Sequence, residues 1–266
     1  EINTGEAGLP AWFDALKEHF PNWDVYASNR ITDQEYTRGL SISELFGVLK
    51  VSVFENLHLA VSLRSFRSEY VSEFVKALLD VDKQSAITLK KSLQGNYPIL
   101  ITRNLSTAKK WVQSKARASE RYGIIASSGA KRLKTTGIWV QNEVEAKEWF
   151  LNAADDVRSS NFLENTATEF DIQGLEIDWA IVAWDANYRF LDGHFQYFNF
   201  IGTRWTSIRL PDDQLYLKNA YRVLLTRARQ GFIIFIPFGD ETDETRRPEF
   251  YDGTYTYLKS LGIPEI

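Results

Sequence analysis

The order of apolar patterns along this 266-residue chain predicts an α/β fold with a mainly parallel sheet covered on both faces by helices. From Tyr97 onward, short β-type runs alternate with longer segments of helical periodicity, the pattern that crossovers between parallel strands require. The run Ile99-Leu100-Ile101-Thr102 is apolar without alternation, as a strand buried on both faces is. A hydrophobic content of 44% over this length supplies enough side chains to bury such a sheet.

Each element follows in turn. Pro10, near the start of the apolar-periodic run Leu9 to Phe20, marks a first helix, because proline costs little where a helix has no partner for that N–H. Short segments of β-type content come next at Asp24–Ala27, Leu49–Phe54 and Leu57–Leu63. Ser68 is placed to cap a helix whose apolar residues Tyr70, Phe74, Val75 and Leu78 recur at i, i+4, i+5 and i+8. Tyr97–Thr102 reads as a strand. After it come a helix at Ser106–Ser119, a strand at Tyr122–Ala126, a helix at Glu143–Asn152, and strands near Ala167–Phe170 and at Trp179–Trp184. A helix at Leu215–Arg227, a strand at Gly231–Ile236 and a helix from Pro248 to Leu261 complete the order. The aromatic-rich stretch Arg189–Arg209 interrupts the alternation as a two-stranded excursion, and no Pro/Gly-rich linker marks independent domains.

Composition narrows the function. No long uncharged apolar run is present and Glu1-Ile2-Asn3-Thr4-Gly5-Glu6 has no signal-peptide character, so a cytoplasmic protein that does not enter a membrane is expected. Without cysteine there are no disulfides or thiolate zinc sites, and three scattered histidines argue against a histidine-rich metal site. The absence of methionine and the opening at Glu1 suggest a fragment of a longer protein. A net charge of −4 rules out a uniform basic coat, yet Ile101–Thr135 holds nine Lys and Arg against one acid, Glu120. That stretch is either a phosphate-facing surface or a solvated helix face.

Two segments carry the chemistry. Thr168 to Asp178 contains the turn Gln173-Gly174-Leu175-Glu176, expected at the carboxyl ends of the strands where ligands sit in open α/β sheets. Gly174 permits close backbone approach and Glu176 offers a carboxylate for a ribose hydroxyl or a main-chain N–H, the alternative being an ordinary turn with a capping acid. On the helix that follows, Arg222, Thr226 and Arg229 share a face at i, i+4 and i+7, with Arg227 pointing away from them. An arginine at such a helix end either reaches phosphate oxygens with its planar fork or forms a surface ion pair. No G-x-x-x-x-G-K-[ST] loop is present to cradle phosphates.

Thr168–Asp178 is similar to motif V of superfamily 1 helicases, T-x-H-x-x-[KQ]-G-x-E-[FY]-D, and Val223–Arg229 to motif VI, V-x-x-T-R-A-[RK]. With Asp156-Val157-Arg158-Ser159-Ser160-Asn161 and Asn219–Gly231, these strings resemble the Schlafen-type (group three) DNA/RNA helicase-like family over essentially the whole chain. The resemblance implies a C-terminal RecA-like domain of the P-loop NTPase type, three-layered but lacking its own phosphate-binding loop. Residues 1–55 would be an entry segment following motif III, and residues 56–266 would carry motifs IV to VI.

It also implies roles. Arg227 matches the arginine finger and Glu176 the acid associated with the ribose, with Gln173 and Gly174 in the same nucleotide-facing turn. Leu59-Ala60-Val61-Ser62-Leu63-Arg64-Ser65 matches motif IV, making Arg64 a second γ-phosphate sensor, with Arg67 its competitor. Thr102, Arg103 and Asn104, then Ser127, Ser128 and Thr168, are candidate contacts to a nucleic-acid backbone; strand termination and capping by Asn104 and Ser106 are the other use of the first group. ATP and Mg²⁺ would bind in the intact protein against an upstream RecA-like domain, and single-stranded DNA or RNA would be the partner. The fragment alone would bind no cofactor and be inactive. Phe170 stands where the family pattern has histidine, and Tyr221 is displaced by one from the usual aromatic position. A nucleic-acid-binding module without motor activity is the alternative function.

Overall fold

The computed structural model describes residues 8–32, 41–57 and 66–266. The chain divides into two compact units, Glu1–Leu63 and Arg64–Ile266, at a place no Pro/Gly-rich linker marks. The segment Leu59–Ser65 with Arg64 lies outside the described residues, as do the Arg67 side chain, nearly all of the expected strand Leu57–Leu63 and the opening Glu1–Ala7.

In the first unit, helix α1 (Gly8–His19), strand β1 (Asp24–Ser28), helix α2 (Ile42–Phe46) and strand β2 (Lys50–Phe54) enclose a small core of Phe13, Leu45 and Leu49. Strands β1 and β2 pair in parallel with Asp24 opposite Lys50. Ser41 and Glu44 form a reciprocal capping box at the start of α2.

The second unit is built on a five-stranded, all-parallel sheet of β3 (Ile99–Thr102), β4 (Tyr122–Ala126), β5 (Thr166–Ala167), β6 (Ile177–Ala183) and β10 (Ala228–Phe235). Its spatial order is β3-β10-β6-β4-β5, so the last strand in the chain lies between the first and the middle one. Helices α3 (Phe66–Leu79), α4 (Lys83–Leu93), α7 (Pro211–Leu225) and α8 (Glu249–Ser260) contribute to the apolar cluster on one face. Helix α5 (Leu105–Lys115) and the turn Lys131–Thr136 contribute to the cluster on the other. This is the three-layer arrangement of a RecA-like domain. Every residue of β6 is buried, which explains its nearly uninterrupted apolar sequence. Gly123 on β4 faces α6 (Ala146–Leu151), where Trp149 packs so closely that a Cβ at Gly123 would lie 2.6 Å from its ring.

Several boundaries differ from the sequence-based expectation. Helix α3 begins at Phe66, so Ser68 lies inside it and does not cap it. Helix α4 has no counterpart in the expected order; Asp82 caps it, and its buried line is Ala86, Lys90 and Leu93. The aromatic excursion is a three-stranded antiparallel sheet, β7 (Tyr188–Leu191), β8 (His194–Ile201) and β9 (Arg204–Ser207), where two strands were expected. Its Tyr188 and Phe195 rings stack at 4.4 Å, and Trp184 meets Tyr221 of α7 at the same distance.

Candidate functional site

Helix α7 stops at Leu225 because Thr226 turns its hydroxyl back to the Arg222 carbonyl, 2.8 Å away, and the next residues enter β10. The expected helical face of Arg222, Thr226 and Arg229 therefore does not form. Arg227 occupies the turn between α7 and β10, and Arg229 lies in the strand. At this amino-terminal edge of the sheet the Arg227 carbonyl accepts a hydrogen bond of 3.2 Å from Ile177 N–H, so Glu176 and Arg227 sit on neighbouring strand entrances. Arg227 is buried, with 9% of its surface exposed.

The turn leading to Glu176 is open. Gln173, Gly174 and Leu175 are exposed, and Gly174 adopts φ +82°, a left-handed conformation that glycine takes without strain. Nearby, Tyr97 donates to the Ala228 carbonyl at 2.6 Å; burial, together with the Glu176 charge, pushes its phenol well above the usual range.

Asp178, two residues beyond Glu176, is the residue that knits this edge together. It accepts from Arg229 Nη2 at 2.7 Å and from Arg121 N–H at 2.8 Å, while its own N–H donates to the Arg121 carbonyl. Arg121 reaches Ser159 at 3.0 Å, and Asn161 accepts from Tyr122 N–H, so the Asp156–Asn161 string braces the start of β4. Glu120 accepts from Trp179 and Gln230, bonds that hold its carboxyl below the ordinary range.

The nucleic-acid candidates lie at the opposite, carboxyl-terminal edge. Parallel strands β5 and β6 flank β4, so the chain from Thr168 to Glu176 must run the height of the sheet between them, and the Gln173–Glu176 turn arrives at the amino ends. The expectation that this turn sits at the carboxyl ends is corrected by that geometry.

Thr102 is buried and donates to the Ile266 carbonyl at 2.8 Å, and Asn104 caps α5 by accepting from Thr107 N–H at 3.0 Å. Arg103 bonds the Pro237 carbonyl and Asp252, with its guanidinium 4.0 Å from the Tyr255 ring centre. Ser128 donates both its N–H and its hydroxyl to the Glu169 carboxylate at 2.8 Å each. Thr168 spends both donors on Asp171. These residues share one edge, but of their side chains only those of Asn104 and, in part, Ser128 face solvent.

Behind them runs a buried network that the sequence does not announce. Ser127 accepts from Asn187 at 3.1 Å; Asn187 accepts from the Tyr221 hydroxyl at 2.8 Å; and Tyr221 accepts from Asp185 N–H at 3.3 Å. The Asp185 carboxylate takes further bonds from Tyr251, Ala186 N–H and Arg132 N–H. Burial raises the carboxyl groups of both Glu169 and Asp185 above their ordinary range despite these donors. The basic segment is partly consumed as well: Arg132 pairs with Asp243 at 2.7 Å, Lys109 with Glu164 at 3.7 Å. Among the described residues no cluster of acids and histidines suits a metal ion, and no helix is long and apolar enough to cross a membrane.

Comparison with known families gives a match to the Schlafen group 3, DNA/RNA helicase domain over residues 1–237. The chain belongs to that family. No curated protein matches it. In this Schlafen group 3 domain the two strings resembling motifs V and VI, far apart in sequence, meet through the Ile177–Arg227 bond and the Asp178–Arg229 ion pair. The fold also extends past the matched span. Tyr251 and Asp252 of α8, beyond residue 237, complete the Asp185 network and the Arg103 clamp.

Proposed function

We propose that this Schlafen group 3 domain is the C-terminal motor domain of a superfamily 1, ATP-dependent DNA/RNA helicase or translocase, supplying an arginine finger and part of the nucleic-acid surface. The juxtaposition of Glu176 and Arg227 at adjacent strand entrances carries the reading. A guanidinium and a carboxylate carried on neighbouring strands suit the two ends of a nucleotide: the cation takes developing charge on the transferred phosphoryl oxygens, and the acid takes ribose hydroxyls. This donor set does not suit a divalent cation, so Mg²⁺ and the phosphate-binding loop belong to an upstream RecA-like domain in this proposal. ATP is the substrate of the cleft between the two.

Arg227, buried here, turns outward as the cleft closes. Arg64, or Arg67 in its place, serves as a second γ-phosphate sensor. Thr168 and Glu176 stand at the two ends of one crossover, so closure at the nucleotide edge moves the edge where Asn104, Ser128 and their neighbours meet a single strand. The domain by itself hydrolyses nothing. Nucleic-acid-stimulated ATPase of the full-length protein tests the assignment. Arg227→Ala is expected to lower the rate by ~10³–10⁵. Unchanged hydrolysis would remove the finger and leave a binding module.

A further inference from the structure

Strand β10 starts directly after Arg227, and its first residue has no backbone neighbour on one side. Ala228 pairs with Ile177, so the Arg227 carbonyl faces β6 and accepts the Ile177 N–H at 3.2 Å. Carbonyls alternate in direction along a strand, so the next one, that of Ala228, faces β3. The ladder between β3 and β10 begins only at Phe232, whose N–H donates to the Pro98 carbonyl at 3.1 Å. Nothing in the β3 main chain extends it toward Ala228. Pro98 has no N–H to give, and the Asn96 N–H is spent on the Leu93 carbonyl at the end of α4. Ala228 is buried, so its carbonyl needs a donor from elsewhere.

The Tyr97 side chain supplies it. Its hydroxyl donates to the Ala228 carbonyl at 2.6 Å, its ring is buried and meets Phe232 edge-on at 6.0 Å, and its own N–H is anchored on the Leu93 carbonyl at 3.0 Å. Two consecutive carbonyls, those of Arg227 and Ala228, are thus clamped from opposite sides, one by a main-chain donor of β6 and one by a side-chain donor ahead of β3. The phenol also lies within electrostatic reach of Glu176, whose charge adds to burial in holding the proton on the oxygen. It therefore stays a donor.

A side chain that turns outward on cleft closure needs a backbone that does not move with it. We propose that Tyr97 is a positioning residue for Arg227: its hydroxyl fixes the carbonyl next to the arginine, so that the guanidinium reaches the same place each time the cleft closes. The inference rests on the arginine-finger reading and adds to it a residue that touches no substrate. A misplacement of about 1 Å costs on the order of 10²-fold in rate, so the loss of one hydroxyl remote from the phosphates is felt in the chemical step.

Tyr97→Phe in the full-length protein deletes the donor and keeps the ring. Single-turnover ATP hydrolysis, with enzyme in excess and single-stranded oligonucleotide saturating, gives a limiting rate constant that does not depend on how much of the enzyme is folded. That constant is expected to fall on the order of 10–100-fold, with the half-saturating enzyme concentration changed by less than about threefold. In an Arg227→Ala background Tyr97→Phe should add no further loss, because the two changes act through one group. Hydrogen exchange without nucleotide should show the Ala228–Gly231 amides opening on the order of tenfold faster and those of Ala180–Val182 unchanged. An unchanged rate constant in Tyr97→Phe beside a strongly impaired Arg227→Ala overturns the positioning role and leaves the finger standing. An equal loss in both backgrounds, or unchanged exchange at Ala228–Gly231, overturns it as well. Unchanged hydrolysis in Arg227→Ala, or none in the wild-type protein, removes the finger and the role of Tyr97 with it.

Discussion

Replacing Tyr221 by phenylalanine removes one oxygen from the centre of the buried network and nothing else. The ring keeps its place against Trp184, 4.4 Å away, so no cavity larger than the lost hydroxyl opens. Two polar atoms lose their partner: Asn187 Oδ1, bonded at 2.8 Å, and Asp185 N–H, bonded at 3.3 Å. A buried polar group left unsatisfied costs about 1–3 kcal/mol, and the longer of these two bonds belongs at the low end. The expected loss for Tyr221→Phe is therefore about 2–4 kcal/mol, or roughly 4–16 °C in Tm for a unit of this size. Urea unfolding followed by tryptophan fluorescence reads it as a lower midpoint at constant slope. Asn187→Ala in the Tyr221→Phe background should then cost clearly less than in wild type, because the two residues share a bond. A Tyr221→Phe loss below 0.5 kcal/mol, or full additivity of the pair, would refute the claim that the network holds these loops.

Gly123→Ala drives a methyl to 2.6 Å from the Trp149 ring and 3.1 Å from Ser160 Cβ, an overpacking worth about 1–3 kcal/mol in a urea midpoint shift; a neutral or stabilised variant counts against the contact. Glu169 gives a pH signature of known sign. Its folded carboxyl is raised by burial, so the native state binds the proton more tightly than the unfolded chain. Its contribution to stability therefore falls as pH climbs from the unfolded value of about 4.3 through the raised folded one. Wild type should gain stability relative to Glu169→Gln as pH drops across that window, and a difference that moves the other way contradicts the assignment.

Local pattern made β4 and the β3 strand legible to the residue or nearly so, because both are short, β-rich runs bounded by polar residues. Helix α4 was hidden by Lys90, whose stem occupies the buried line between Ala86 and Leu93; the burial that makes room for it also lowers its amine's proton affinity. The end of α7 was hidden for a different reason. Arginines at Arg222 and Arg229 continue a helical spacing that only the Thr226 hydroxyl interrupts. Which edge of the sheet each candidate occupies depends on strand order, a non-local property. Glu176 and Thr168 lie on one string in sequence, and the crossover over β4 sends them to opposite edges. The motif strings did contain Asp178, whose fixed place after Glu176 was the available signal for its bracing role. Asp185 and Asn187 carried none, and the string that contains Tyr221 gave no sign of its partners, because those come from other loops and helices.

The place of β10 at the heart of the sheet has a consequence for synthesis. Ile99 of β3 finds its sheet neighbour at Phe232, roughly 130 residues later, so ribosomal elongation leaves Ile99–Thr102 without that neighbour for roughly 7–25 s. During that interval an apolar strand edge stands open to pairing with other chains. The sheet closes only when Ala228–Phe235 emerges and slots between β3 and β6. Shielding of the nascent chain until then protects that edge from pairing with other chains.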